Sequence, residues 1–239
     1  MSAPAILVLV IDDEPPIRKL LRMGLGTQGY QVIDAPNGKS ALERLADKPD
    51  LIILDLGLPD MPGLELLRRL RERGVTVPII VLSSRGDEAG KVQALDVGAN
   101  DYVAKPFGMN ELLARMRAAQ RHQIQSKGER PLFRMGDLTV DLVRRVVTVR
   151  DQEIKLSPKE YELLRVFVQH AGKVLTHQFL LREVWGDATD AQYLRVYVRQ
   201  LRQKIEPDPE RPHYLLTETG VGYRLREPEL SSPVRSETL

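Results

Sequence analysis

The chain has 239 residues, 42% of them hydrophobic, which is enough for two cores of ordinary domain size. It contains no cysteine, so disulfides and thiolate metal centres are excluded, and a reducing compartment fits. Its 35 basic and 33 acidic residues nearly cancel to a net charge of +2, so a nucleic-acid surface would have to come from local clustering.

Residues 6–11 form an apolar run too short to span a membrane. The run ends in Asp12-Asp13-Glu14 and lacks a basic flank, so it does not read as a signal peptide either. A soluble, cytoplasmic protein without a membrane partner is expected. Residues 15–28 have helical spacing at Ile17, Leu20, Leu21 and Leu25, with proline at the start and Gly29 past the end. A short strand at 31–34 and a short helix at 38–46 follow. Residues 51–54 are continuously apolar, as in a parallel strand covered on both faces. Asp55 ends that run, and Gly57 and Pro59 break it. Helix at 64–73, strand at 77–82, helix at 87–97, strand at 102–104 and helix at 109–121 complete the first half. Strands alternating with helices predict a doubly wound α/β fold with a parallel sheet ordered 2-1-3-4-5. The span 1–121 is the expected first domain.

Residues 122–131 are polar and aperiodic, and read as a linker with a mean reach of about 15–20 Å. Beyond it, alternation at Leu138, Val140, Leu142, Val147 and Val149, with residues 153–156, predicts a small antiparallel sheet. Ser157-Pro158-Lys159-Glu160 is a capping-box helix start, and that helix ends before Gly172. A second helix spans Thr176 to Trp185, and a third spans 189–206. Residues 215–217 and 222–225 flank a hairpin turn. The second, α+β domain covers 132–226, and the polar residues 227–239 read as a disordered tail.

In the order 2-1-3-4-5 the first and third strands are neighbours, so Asp12, Asp13 and Asp55 converge at their carboxyl ends, where open α/β sheets build sites. Such a cluster is costly unless a hard cation neutralises it, and Mg²⁺ suits oxygen ligands. Ser83 ends the fourth strand and Lys105 follows the fifth. A hydroxyl and an ammonium beside carboxylates suit a phosphoryl group, with Asp55 as nucleophile. Each residue alone has a bland reading as an N-cap, a structural serine or a solvated lysine; their joint placement points to a site. In the third helix of the second half, Leu194, Val198, Leu201 and Ile205 share one face. The other carries Gln192, Val196, Arg199, Gln200 and Gln203, flanked by Arg195 and Arg202. That composition suits base edges and phosphates, and equally an ordinary solvated face. The short helix before it and the hairpin after it favour a winged helix-turn-helix.

The segments IDDE, LDLGLPD, VLSS and GANDYVAKPF resemble the receiver domain of two-component response regulators over about residues 5–121. AGKVLT, LLREVWG, YLRVYVRQLRQKIE and TETGVGYRL resemble the winged-helix output domain of the OmpR/PhoB type. The resemblance implies Asp55 as phosphoacceptor from a sensor histidine kinase, with Asp12, Asp13 and the Gly57 carbonyl as Mg²⁺ ligands. It implies Lys105 as phosphate partner before a cis proline, and Ser83 with Tyr102 as a switch pair. Arg195, Arg199, Arg202 and Lys204 become expected DNA contacts beside Gln200, with Thr219 near the wing tip. Trp185 reads as core. Homodimerisation on activation is implied through Lys91 with Glu111 and Asp101 with Arg115, as is contact with RNA polymerase. The pattern is closest to a branch governing a high-affinity potassium-transport operon.

Asn100 departs from the family pattern by standing where an acid is usual, and His122 stands where arginine is frequent. Loss of that bridge predicts a weaker dimer. Two other readings compete. A phosphohydrolase with an aspartate nucleophile would carry a second acid two residues on, where this chain has Gly57; the receiver is therefore expected to promote only its own phosphotransfer and dephosphorylation. A phosphorylation-independent DNA-binding protein is disfavoured by the intact set Asp12, Asp13, Asp55, Ser83 and Lys105.

Overall fold

The computed structural model describes residues 5–84, 88–186 and 191–227, and the side chains of 83, 84, 88, 89 and 191 lie outside that description. The expected tail therefore falls beyond it, apart from Glu227. The chain divides into two compact units, Ala5–Gly128 and one that begins at Glu129.

The first unit runs β1 (Leu7–Ile11), α1 (Pro15–Gly26), β2 (Gln31–Ala35), α2 (Gly38–Arg44), β3 (Leu51–Asp55), α3 (Gly63–Glu72), β4 (Ile79–Ser84), α4 (Glu88–Val97), β5 (Asp101–Lys105) and α5 (Met109–Ser126). A single 3-10 turn, Leu45–Asp47, follows α2. The strands form one sheet in the order β2-β1-β3-β4-β5, and every pairing is parallel. The period-2 alternation of strand side chains splits the interior into two layers. Val8, Val10, Leu51, Ile53, Ile80 and Leu82 pack with Leu21, Leu25, Leu112 and Met116 of α1 and α5. Leu9, Ile11, Ile52, Leu54 and Val81 pack with Ala41, Leu66, Leu67, Leu70 and Ala94 of α2, α3 and α4. All of β3 is buried, because both faces are covered.

The linker expectation needs correction at its start. Residues 122–126 continue α5, which ends only where Gly128 takes a positive φ of 74°. His122, Gln123, Gln125 and Ser126 around the single Ile124 supply no apolar period, yet nothing in the stretch breaks a helix, and the glutamines favour one. Gln123 also anchors it by donating to Thr76 O at 3.1 Å.

The second unit opens with an antiparallel sheet, β6 (Leu132–Met135), β7 (Leu138–Asp141), β8 (Val146–Val149) and β9 (Gln152–Glu153), in sequential order. Strand β6 lies at the start of the expected second domain, where the sequence alternation had assigned no element. The helices are α6 (Pro158–Gln169), α7 (His177–Trp185) and α8 (Ala191–Ile205). The capping box is formed, with Ser157 Oγ accepting from Glu160 N and Glu160 Oε2 from Ser157 N. Residues 189 and 190, the expected start of α8, lie outside the described residues. The closing hairpin, β11 (Leu215–Glu218) and β12 (Gly222–Leu225), gains a third strand, β10 (Leu175–Thr176), on the β12 side. Gly222 permits this pairing: a Cβ there would lie 1.9 Å from Leu175 O. Three helices and a hairpin wing match the expected architecture. Among the described residues, no helix is long and apolar enough to cross a membrane.

Candidate functional sites

The carboxyl ends of β1, β3 and β5 bring together the acids that the sequence singled out. Asp12 is fully buried and Asp55 is 8% exposed. The Lys105 ammonium lies between them, 2.9 Å from Asp12 Oδ2 and 3.0 Å from Asp55 Oδ2. It also reaches Glu14 Oε1 at 3.1 Å. Carboxylate oxygens of Asp12, Asp13, Glu14 and Asp55 all lie within 4.8 Å of one another. An all-oxygen, strongly anionic donor set of this kind fits a hard divalent cation. Burial pushes the Asp12 carboxyl above its ordinary range, although Lys105 and the Glu14 amide oppose this. Burial opposes the charge on Lys105, but its hydrogen bonds to Asp12 and Asp55 outweigh that and hold it firmly protonated. The Lys105–Pro106 peptide is cis.

The loop after Asp55 is closed at both ends. At its base, Gly63 N donates to Leu56 O at 3.0 Å, and a Cβ on Gly63 would meet Asp55 O at 2.6 Å. At its tip, Asp60 accepts the N–H groups of Gly38 and Lys39, both at 2.9 Å, and so caps α2. Those bonds hold the Asp60 carboxyl below its ordinary range. Gly57 is exposed beside Asp55, and a Cβ there would lie 3.7 Å from Asp55 Oδ2. Sequence reading missed Glu14, Asp60 and Gly63 as site residues. The DDE triplet and the Pro62-Gly63 pair at the start of a helix were the available signals.

Ser83 pairs with Ala104 in the β4–β5 register, and its side chain lies outside the described residues. Tyr102 is half-buried and packs against the layer under α2, α3 and α4. Lys91 Nζ lies 5.1 Å from its ring centroid and Arg115 Cζ 6.0 Å. Arg115 also contacts both Asp101 oxygens at 3.0 Å and Glu111 Oε1 at 3.1 Å. The expected partners Asp101 and Arg115 thus meet within one chain. Asn100 is not an idle position. Its Oδ1 accepts from Ile79 N at 2.9 Å and from Arg71 at 3.0 Å, while Arg71 also holds the carbonyls of Gly98, Val75 and Val77. His122 is exposed on α5.

In the output unit, Leu194, Val198, Leu201 and Ile205 are buried. Arg195, Val196, Arg199, Gln200 and Gln203 are exposed. A cleft of about 300 Å³ beside α8 is lined by Arg195, Arg199, Arg202 and Tyr223. Thr219 sits exposed in the wing turn, next to Gly220 with φ 78°. Two of the expected contacts already have partners within the chain. Arg202 donates to Leu215 O at 3.0 and 2.7 Å and to Thr217 Oγ1 at 2.8 Å, tying α8 to the wing. Its burial lowers the guanidinium's pKa. Lys204 donates to Glu160 Oε2 at 2.6 Å and to Lys155 O at 3.1 Å, on the α6 side of the helix. Trp185 packs on Tyr197 with centroids 5.2 Å apart, on that same side.

Residues 8–117 match the response regulator receiver domain, and residues 151–225 match the transcriptional regulatory protein C-terminal domain. The transcriptional regulatory protein KdpE of Mycobacterium tuberculosis is 51% identical over 222 residues, covering 91% of this chain and 98% of the relative. The KDP operon transcriptional regulatory protein KdpE of Escherichia coli is 48% identical over 220 residues, covering 91% and 97%. Among solved structures, NtrX of Brucella abortus is similar at 30% identity with a TM-score of 0.50, over 52% of this chain and 29% of that one. The chain belongs to the two-component response regulators of the OmpR/PhoB family, with a receiver domain followed by a winged-helix DNA-binding output domain.

Proposed function

We propose that this response regulator controls a potassium-transport operon of the kdp type, through phosphorylation of Asp55 by a sensor histidine kinase. The observation that carries the phosphoacceptor reading is the Lys105 ammonium held between Asp12 and Asp55. The operon assignment rests on the KDP relative and on the output-domain motifs. One Asp55 oxygen attacks the phosphorus of the kinase's phosphohistidine. The P–O bond forms as the P–N bond breaks, and the imidazole leaves with that electron pair and takes a proton from solvent. Lys105 stays charged and faces the new phosphoryl oxygens. Asp12, Asp13, Asp55 and the Gly57 carbonyl would hold Mg²⁺, which when bound supplies charge neutralisation. The chain promotes gain and loss of its own phosphoryl group and turns over no separate substrate.

Ser83 and Tyr102 then act as the switch. Phosphorylation shifts the population toward a form that dimerises through the face bearing Lys91, Asp101, Glu111 and Arg115. Two linked output domains gain promoter affinity through effective concentration, in the cytoplasm and in contact with RNA polymerase. Arg195, Arg199, Gln200 and Thr219 are the proposed DNA contacts. Arg202 and Lys204 position the helix.

Molar mass in solution tests the switch, measured with Mg²⁺ before and after adding beryllofluoride as a phosphoryl mimic. A doubling in the intact chain and none in Asp55→Ala is expected. An unchanged mass in both would overturn coupling through receiver dimerisation.

A further inference from the structure

We infer that Arg18 is a positioning residue for Asp12 and Asp13, and that it sets the affinity of the acid cluster for a divalent cation. The inference rests on the reading of that cluster as a cation site. Arg18 lies one turn into α1, and its side chain is only 16% exposed. Its Nη1 donates to Asp12 O at 2.7 Å and to Asp13 O at 2.9 Å. Its Nε donates to Asp34 Oδ2 at 3.2 Å, and Arg22 pairs with the other Asp34 oxygen. Asp34 is on β2, in register with Val10 of β1. The guanidinium is thus braced from the neighbouring strand while it grips two successive carbonyls.

Those two carbonyls belong to the peptide planes on either side of Asp13 Cα. Fixing both planes fixes the direction in which the Asp13 side chain leaves the backbone. Asp12 has further anchors of its own: its Oδ1 accepts from Glu14 N at 2.9 Å and its Oδ2 from Lys105. Asp13 is exposed, so its aim depends more on the backbone. Loss of Arg18 should therefore act mainly through Asp13. A competing effect has the opposite sign, because removing a cation near a cation site relieves repulsion. Asp34 already pairs with that charge, so geometry should prevail. Outer partners of metal ligands typically change affinity by about 10–100-fold, and two neutral carbonyl contacts place Arg18 near the lower end.

The test is Mn²⁺ binding to the full chain, read from the spin-resonance signal of free Mn²⁺, with a metal-free thermal melt for each variant. Arg18→Met is expected to bind about tenfold more weakly. Arg18→Lys, which keeps the charge but not the fork, should also weaken binding and covers the case in which the methionine variant fails to fold. Asp34→Asn keeps both carbonyl contacts and an amide oxygen facing Nε, so its loss, from the unpaired guanidinium charge, should stay well below that of Arg18→Met. In an Asp13→Asn background, Arg18→Met should cost less than about twofold, a non-additivity that a purely structural role would not produce. Unchanged or tighter binding in both Arg18 variants overturns the inference, as does a loss in Asp34→Asn equal to that of Arg18→Met. No Mn²⁺ uptake by the parent chain would instead overturn the cation-site reading itself.

Discussion

The Glu160 carboxylate lies 2.6 Å from the Lys204 ammonium, and Glu160 is only 3% exposed. Burial alone would raise this carboxyl, but the hydrogen bonds from Lys204 and Ser157 outweigh it and hold it below its ordinary range. A depressed folded-state value stabilises above the unfolded value of 4.5, and that stability is lost as pH falls through the folded value. Lys204→Met should cost the output unit about 1–2 kcal/mol at neutral pH, since Lys204 is partly in water and the Ser157 bonds remain. The loss should shrink as pH falls from 4.5 through the parent's depressed folded value, below which protonation has removed the charge in both proteins. Thermal melts across that range check both statements.

Arg199 and Arg202 are three residues apart on α8 but do different work. Arg199 is exposed beside the cleft, whereas Arg202 is spent on Leu215 O and Thr217. Each phosphate contact contributes about 0.9 to the slope of log affinity against log salt. Arg199→Ala should weaken promoter binding, lowering the slope by about 1 if its partner is a phosphate. Lys204→Met should leave the slope unchanged despite its stability cost. Arg202→Ala should lower the melting temperature by loosening the wing, and weaken binding only as a consequence. Salt titrations of promoter binding, run beside melts, separate the three.

Gly63→Ala should damage the receiver although it adds one methyl group. The new carbon would lie 2.5 Å from Leu56 Cα and 2.6 Å from Asp55 O, both backbone atoms that cannot swing aside. Overpacking of this kind costs about 1–3 kcal/mol. The strain falls on the peptide that carries Asp55, so phosphorylation by a small-molecule donor should slow as well. A variant that melts and phosphorylates like the parent would refute the tight closure of this loop.

The acid site was legible because it is built at strand ends. An apolar run followed by an acid places that acid at the sheet's carboxyl edge whatever the loops do, so Asp12, Asp55 and Lys105 followed from strand order alone. Residues whose role depends on what reaches them from elsewhere were not legible. A helical wheel places Arg202 and Lys204 beside the exposed face of α8, but it cannot show that β11 and α6 supply acceptors there. Asp60 and Gly38 are 22 residues apart, and nothing local announces that one caps the other's helix. The two-residue strand β10 carries no period at all, and only the steric demand at Gly222 betrays it. The end of α5 was not legible because its last residues, polar but for Ile124, carry no apolar period and no helix-stop signal before Gly128.

Asn100 offers the sharpest test of the proposed dimer. Its Oδ1 is already engaged by Ile79 N and Arg71 at the amino edge of the sheet. Asn100→Asp would keep both bonds and convert the Arg71 contact into an ion pair. Such a partly exposed pair should add at most about 1 kcal/mol to receiver stability. Because the new carboxylate stays on Arg71, the beryllofluoride-induced dimer should tighten by less than about twofold. Adding His122→Arg should not change that, since the acid it needs is held within the chain. Sedimentation at several concentrations would decide the matter. A sub-micromolar dimer in the parent would overturn the expectation of a weaker dimer, and a large gain in Asn100→Asp would mean that position 100 is free to reach a second subunit and that the Arg71 bracket yields on activation.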